Sequence, residues 1–160
     1  ACTLIHTPQI IFLDEPTTGV DPVSRRDFWM ILSELLKRNI TIVMTTPYLD
    51  EAERCTRVGL MNKGQMAAID TPQKIKLLMK GSIIEIVCDQ IRRAFAILKG
   101  LPAIIEVQAF GDRLNVVVDD VALDFPRVEQ RLSEEGIHIS AWRAIPPSLE
   151  NVFISLLKAN

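Results

Sequence analysis

Residues 10–22 read I-I-F-L-D-E-P-T-T-G-V-D-P, and this stretch decides the fold. An apolar run of strand length ends in two adjacent acids, Asp14 and Glu15, and a polar turn with a third acid, Asp21, follows. Neighbouring strand residues point to opposite faces. Two consecutive acids therefore share a site only where the strand is ending, as Pro16 requires. In open α/β sheets ligands gather at the carboxyl ends of the strands, where these carboxylates emerge. Such a pair suits phosphate chemistry: one acid can hold Mg²⁺ through water, and the next can orient or deprotonate an attacking water. A buried parallel strand that finishes in a polar turn explains D-E-P alone nearly as well, but T-T-G-V-D-P behind it weighs against that reading.

Outward from this stretch, Asp21-Pro22 opens a helix, with Asp as N-cap and Pro at the first helical position. Phe28, Ile31, Leu32, Leu35 and Leu36 recur at helical spacing and are expected to face a sheet. Lys37, Arg38 and Asn39 suit the negative end of that helix. Residues 40–45 form a β-branched strand, predicted parallel to the first in a β-α-β unit. Thr46-Pro47 starts a short acidic helix over 48–55. Its Asp50, Glu51 and Glu53 read as a solvated face rather than a second metal site. Residues 57–62 and 65–69 flank Lys63-Gly64 as a hairpin, and Thr71-Pro72 caps a helix over 73–79. Lys80-Gly81-Ser82 is the expected boundary between a first domain, 1–80, and a second, 81–160.

The second half has another rhythm. A strand over 83–88 precedes a helix over 90–99 with Ile91, Ala94, Phe95 and Leu98 on one face. Residues 103–110 and 113–119 alternate around Gly111-Asp112. A helix over 125–135 shows Phe125, Val128 and Leu132 and stops at Gly136, before a strand over 137–143. The order β-α-β-β-α-β matches the ferredoxin-like split βαβ motif. After Pro146-Pro147, Ser148 caps a closing helix whose Leu149, Val152, Phe153, Leu156 and Leu157 form one apolar stripe, expected to pack on its own domain.

With 160 residues the chain fits one ordinary domain or two small ones. Hydrophobic residues make up 48%, enough for real cores. The net charge of −2, with acids and bases mixed, offers no polybasic surface for nucleic acid or membrane. Cys2, Cys55 and Cys88 lack metal or disulfide spacing and fit a reducing cytoplasm, and His6 and His138 have no metal-ligand pattern. The pairs Arg25-Arg26 and Arg92-Arg93 read as surface or ion-pair features, and Trp29 and Trp142 as packing residues.

I-I-F-L-D-E-P resembles the Walker B segment of an ABC-type ATPase, and T-T-G-V-D-P resembles its D-loop. The resemblance implies ATP and Mg²⁺ as cofactors, with Asp14 in the metal sphere and Glu15 as the general base or water-positioning residue. Asp21 would reach across a nucleotide-sandwich dimer; N-capping explains the same residue equally well, and both roles can hold together. Residues 45–53, T-T-P-Y-L-D-E-A-E, resemble the switch region, where the family carries a phosphate-contacting His at the position of Pro47. Proline offers no donor, so a slow or asymmetric site is expected, with Thr46 or Tyr48 supplying a polar contact. Residues 147–154, P-S-L-E-N-V-F-I, resemble the closing segment of the accessory domain in drug-export-type subunits.

The phosphate loop G-x-x-x-x-G-K-[ST] and the Ser-Gly-Gly signature run do not occur. The opening A-C-T-L-I-H-T-P resembles the end of the helix after that signature. The resemblance thus implies an α/β fold: the carboxyl-terminal part of a P-loop NTPase core, followed by a ferredoxin-like accessory domain. The parent would be the ATP-hydrolysing subunit of an exporter, cytoplasmic and peripheral on the inner face of the cell membrane. Its partners would be an integral membrane permease and a second ATPase domain, with no nucleic acid, and the fragment alone would be inactive. The alternatives are a soluble non-transport ABC-type ATPase, or a degenerate regulatory nucleotide site with a dimerisation module at 81–160.

Overall fold

In the computed structural model, which describes residues 8–159, β1 (Ile10–Asp14) and β2 (Thr41–Thr45) pair in parallel, Ile10 opposite Thr41 and Asp14 opposite Thr45. Parallel neighbours need a crossover, and α1 (Pro22–Lys37) supplies it. Asp21 starts the helix as expected, its Oδ1 accepting from the amides of Val23 at 3.0 Å and Ser24 at 3.1 Å. Ile11, Leu32 and Ile40 are buried, and Phe28 and Leu35 are half-buried. Ile31 and Leu36, expected to face the sheet, are instead exposed, as is Phe12 at 76%. A parallel sheet is ordinarily covered on both faces. Among the described residues of this unit one helix crosses over the strand pair, and β1 alternates exposed and buried positions. A single turn, α2 (Leu49–Ala52), closes this unit, which spans residues 1–54.

The second unit spans residues 55–160 and begins with an antiparallel hairpin, β3 (Val58–Asn62) and β4 (Gln65–Asp70). Its two-residue turn has left-handed backbone at both positions, Lys63 at φ 48° and Gly64 at φ 77°, the geometry that matches strand twist. Thr71 caps α3 (Pro72–Lys76) by accepting the Lys74 amide at 3.3 Å. Gly81, at the boundary expected from sequence, leads into the main sheet. Its φ is +84°, and a Cβ there would lie 2.5 Å from the Val118 carbonyl oxygen, so only glycine fits.

The remaining elements run β5 (Ser82–Cys88), α4 (Ile91–Leu98), β6 (Ile104–Phe110), β7 (Arg113–Val118), α5 (Val121–Glu134), β8 (Ile139–Ile145) and α6 (Leu149–Ala159). The four strands form one sheet in the order β6-β7-β5-β8, each neighbour antiparallel. One face packs Ile84, Ile86, Leu114 and Val116 against Ala94, Leu98, Phe125, Val128 and Leu132, nearly all fully buried. Truncating Leu132 to Ala there should cost about 2–5 kcal/mol.

α6 lies against β6 and α3, with Leu149 and Val152 buried and Leu157 exposed, so most of the closing stripe packs within its own unit. A reciprocal amide pair sits beneath it. Asn151 Nδ2 donates to Gln108 Oε1 at 2.7 Å, and Gln108 Nε2 donates to the Asn151 carbonyl at 3.1 Å.

α5 starts at Val121, four residues earlier than the expected start at Phe125. Asp120 caps it, accepting from Ala122 and Leu123, while its own amide donates to Asp124 Oδ2 at 3.2 Å. That cap starts the helix, and Pro126 is carried inside it. The helix ends as expected at Gly136, φ 71°, with the Ile137 amide donating back to the Leu132 carbonyl at 2.9 Å.

Candidate functional site

The two acids of the opening motif stand at the carboxyl end of the parallel pair, and both are exposed. Asp14 is the last residue of β1, and Glu15 turns into the left-handed region at φ 43°. The pleat therefore stops between them, as the sharing of a site requires. A non-glycine residue at that φ carries backbone strain of order 1–3 kcal/mol. The Glu15 amide donates to the Thr45 carbonyl and to Thr45 Oγ1, each at 3.1 Å, which offsets it. The Thr45 hydroxyl in turn donates to Asp14 Oδ1, and Thr18 Oγ1 donates to Glu15 Oε2 at 3.2 Å.

Asp21 is exposed at the N-terminus of α1. Hydrogen bonds from the Ser24 side chain and amide, then from the Val23 amide, hold its carboxyl below the ordinary aspartate range. It is thus a fixed anion at the edge of the loop.

Glu51 overturns the expected solvated acidic face. Asp50 is exposed, but Glu51 is only 1% exposed. Its Oε2 accepts from Thr17 Oγ1 and from Thr46 Oγ1, both at 2.9 Å. Its Oε1 lies 3.5 Å from Arg25 Nε, and the Arg25 guanidinium sits 4.6 Å over the Tyr48 ring. Arg25 is therefore the partner of a buried carboxylate, while Arg26 lies 3.9 Å from Asp27 on the surface. A lone charge is costly to bury, and two hydroxyls with a guanidinium are what make it tolerable. The signal was present in the sequence as Thr17 and Thr46, one hydroxyl after each paired strand. Only the fold brings them to one oxygen.

Pro47 is exposed, between two restrained neighbours. The Tyr48 amide donates back to Thr46 Oγ1 at 3.1 Å, so Thr46 accepts one bond and gives its proton to Glu51. The polar contact expected from Thr46 or Tyr48 thus meets a hydroxyl already engaged and a ring under Arg25. Trp29 meets Phe28 edge-on and lies under Arg54, and Trp142 stacks on Phe125 at 3.8 Å, both packing roles as read.

Among the described residues no group of three or more His, Cys, Asp or Glu could hold a metal ion. His138 is exposed, and Cys2 and His6 lie outside the described residues. One exposed carboxylate beside a hydroxyl is nonetheless the donor set that a hydrated Mg²⁺ takes from protein when substrate phosphates and water complete its shell. No described helix is long and apolar enough to cross a membrane.

The second unit carries its own charge cluster. Glu85 accepts from Arg143 Nε at 2.7 Å and Arg113 Nη1 at 3.3 Å. Glu106 meets Lys158 Nζ at 2.6 Å and also accepts from Ser155. The first ties β5 to its neighbours β7 and β8, and the second ties α6 to β6.

Comparison with known proteins gives concordant matches. The family model described as ATP-binding protein DrrA1-3-like, C-terminal domain, matches residues 71–157. The daunorubicin resistance ATP-binding protein DrrA2 of Streptomyces coeruleorubidus is 32% identical over 161 residues, covering 98% of this chain and 50% of that protein. The doxorubicin resistance ATP-binding protein DrrA of Mycobacterium tuberculosis (strain ATCC 25618 / H37Rv) is 30% identical, covering 98% of this chain and 49% of its own length. The probable multidrug ABC transporter ATP-binding protein YbhF of Escherichia coli (strain K12) is 47% identical over 76 residues, 48% of this chain and 13% of that protein. The chain thus spans half or less of each of these relatives.

Proposed function

The chain belongs to the DrrA1-3-like ATP-binding protein family, and we propose that it is the carboxyl-terminal part of the ATP-hydrolysing subunit of an ABC-type exporter. One observation carries the site: Asp14 and Glu15 leave the end of a parallel strand pair, both fixed by Thr45. In this reading Asp14 holds Mg²⁺, which would supply charge neutralisation at the phosphates. Glu15 orients the attacking water and takes a proton from it at Oε1 or Oε2. Thr18, donating to Oε2, limits where that carboxylate can swing. Asp21, anchored as an N-cap, faces a second ATPase domain.

The phosphate-cradling loop is not in this sequence. The 160-residue chain alone is accordingly expected to be inactive. Pro47 supports a second reading, a site that binds nucleotide but turns over slowly or not at all, because it presents no donor where a phosphate contact is needed. The strand order β6-β7-β5-β8 with α4 and α5 on one face supports a ferredoxin-like accessory domain. By the same proposal the subunit works at the inner face of the cell membrane with an integral permease.

The test is Mg²⁺-dependent ATP hydrolysis by the full-length protein, with and without Glu15→Gln. Activity that collapses in the variant supports hydrolysis at this site. ATP bound without turnover in either form selects the degenerate regulatory reading, and no ATP binding at all defeats both.

A further inference from the structure

We propose that Glu51 is a positioning residue that locks the loop after β1 to the loop after β2, so that the acid pair and the switch position keep one common geometry. The inference rests on the ATPase reading of Asp14 and Glu15. Its ground is a convergence on one oxygen. Glu51 Oε2 takes the hydroxyl of Thr17, two residues beyond Glu15, and the hydroxyl of Thr46, the residue before Pro47. Thr17 and Glu51 are each 1% exposed, so the bond between them is shielded from bulk water, and the Thr46 hydroxyl that joins them is half-buried.

Both loops are also restrained around these hydroxyls. On the first, the Val20 amide donates to the Thr17 carbonyl at 3.1 Å, shaping the turn that runs to Asp21. On the second, the Tyr48 amide closes over Pro47 onto Thr46 Oγ1. Arg25, on the first turns of α1, reaches Glu51 Oε1 and covers the Tyr48 ring, adding a third tie between the same two segments. A displacement of either loop therefore pulls on a buried carboxylate and is transmitted to the other. This suits a site in which the water-positioning carboxylate and the residue facing the terminal phosphate must move together.

A purely structural role for Glu51 would lower the amount of folded protein without altering the turnover of what remains. The test separates the two in the full-length ATPase. Thr17→Val and Thr46→Val keep shape and remove the hydroxyl. Each is expected to lower kcat about tenfold with KM for ATP changed less than about twofold, and Thr17→Ser to restore kcat to within about twofold. Because both hydroxyls act through one oxygen, the double variant should lose little more than the worse single; losses that multiply to about a hundredfold overturn the shared mechanism. Amide hydrogen exchange supplies a readout independent of hydrolysis. Thr17→Val should speed exchange across residues 46–52, and unchanged exchange there overturns the tie whatever the turnover. Absence of any Glu15-dependent hydrolysis in the unmodified protein fails the ATPase reading instead, and exchange then still decides whether the loops are joined.

Discussion

Thr45 donates its hydroxyl to the Asp14 carboxylate across the last rung of the β1–β2 pair. The same oxygen accepts the Glu15 amide at 3.1 Å, so one side chain on β2 holds both members of the acid pair. Thr45→Val preserves the branched shape that favours a strand and removes both bonds. In the full-length protein the Mg²⁺ concentration for half-maximal hydrolysis should rise about three- to tenfold, while Thr45→Ser leaves it nearly unchanged. A Mg²⁺ titration of the ATPase rate measures this, and an unaltered midpoint for Thr45→Val means that Asp14 is not oriented from β2.

Pro47 interrupts a loop whose neighbours are already committed, Thr46 to Glu51 and Tyr48 to the Thr46 oxygen. Pro47→His adds a donor at the exposed position without removing either bond. Turnover of ATP should increase about tenfold or more, the range in which single donors at a developing charge operate. Steady-state kinetics on full-length protein decide it; equal kcat values would show that the proline is not what limits the site.

Asn151 joins α6 to the sheet. Its Oδ1 accepts from Ser148 N at 3.0 Å and Ser148 Oγ at 2.7 Å, while its amide pairs with the buried Gln108. Asn151→Ala leaves Gln108 Oε1 without its donor in a buried site, while the bond from Gln108 Nε2 to the residue-151 backbone carbonyl remains, and the second unit should lose about 2–3 kcal/mol. Ser148→Ala removes only the cap and should cost about 1 kcal/mol. Urea unfolding of the 160-residue chain followed by circular dichroism ranks the two; equal losses would rule out the Gln108 pairing as the dominant contribution.

Glu85 is held below its ordinary value of 4.5 chiefly by the Arg143 hydrogen bond, against opposing burial, with Arg113 adding to the effect. A carboxyl whose pKa is depressed by folding binds fewer protons in the native state. Its contribution is therefore present above pH 4.5 and is lost as the pH falls through the lowered native value. The melting temperature of the chain should decline in that acidic window, and Glu85→Gln should flatten part of the decline. Identical acid limbs for the two proteins would assign the slope to other carboxylates.

Local backbone chemistry was legible in the residues themselves. Asp21-Pro22 announced the start of α1, Lys63-Gly64 the hairpin turn and Gly136 the end of α5, because each depends on groups within a few residues of one another. The acid pair was legible for the same reason: a strand that must stop at Pro16 leaves Asp14 and Glu15 at its end. The start of α5 was read too late, at residue 125, because the Asp120 cap that begins the helix at Val121 lies before the apolar positions used to place it. Glu51 was read as solvated because its partners lie in other elements, and no periodicity within α2 reports on Thr17 or Arg25. The exposure of Phe12 and Ile31 follows from how many elements cover the sheet, a quantity absent from their own spacing. The sequence by itself thus determined the turns, caps and strand end that create the candidate site. Tertiary structure alone decided which buried charge holds its loops together, since that required donors distant in the chain to converge on one oxygen.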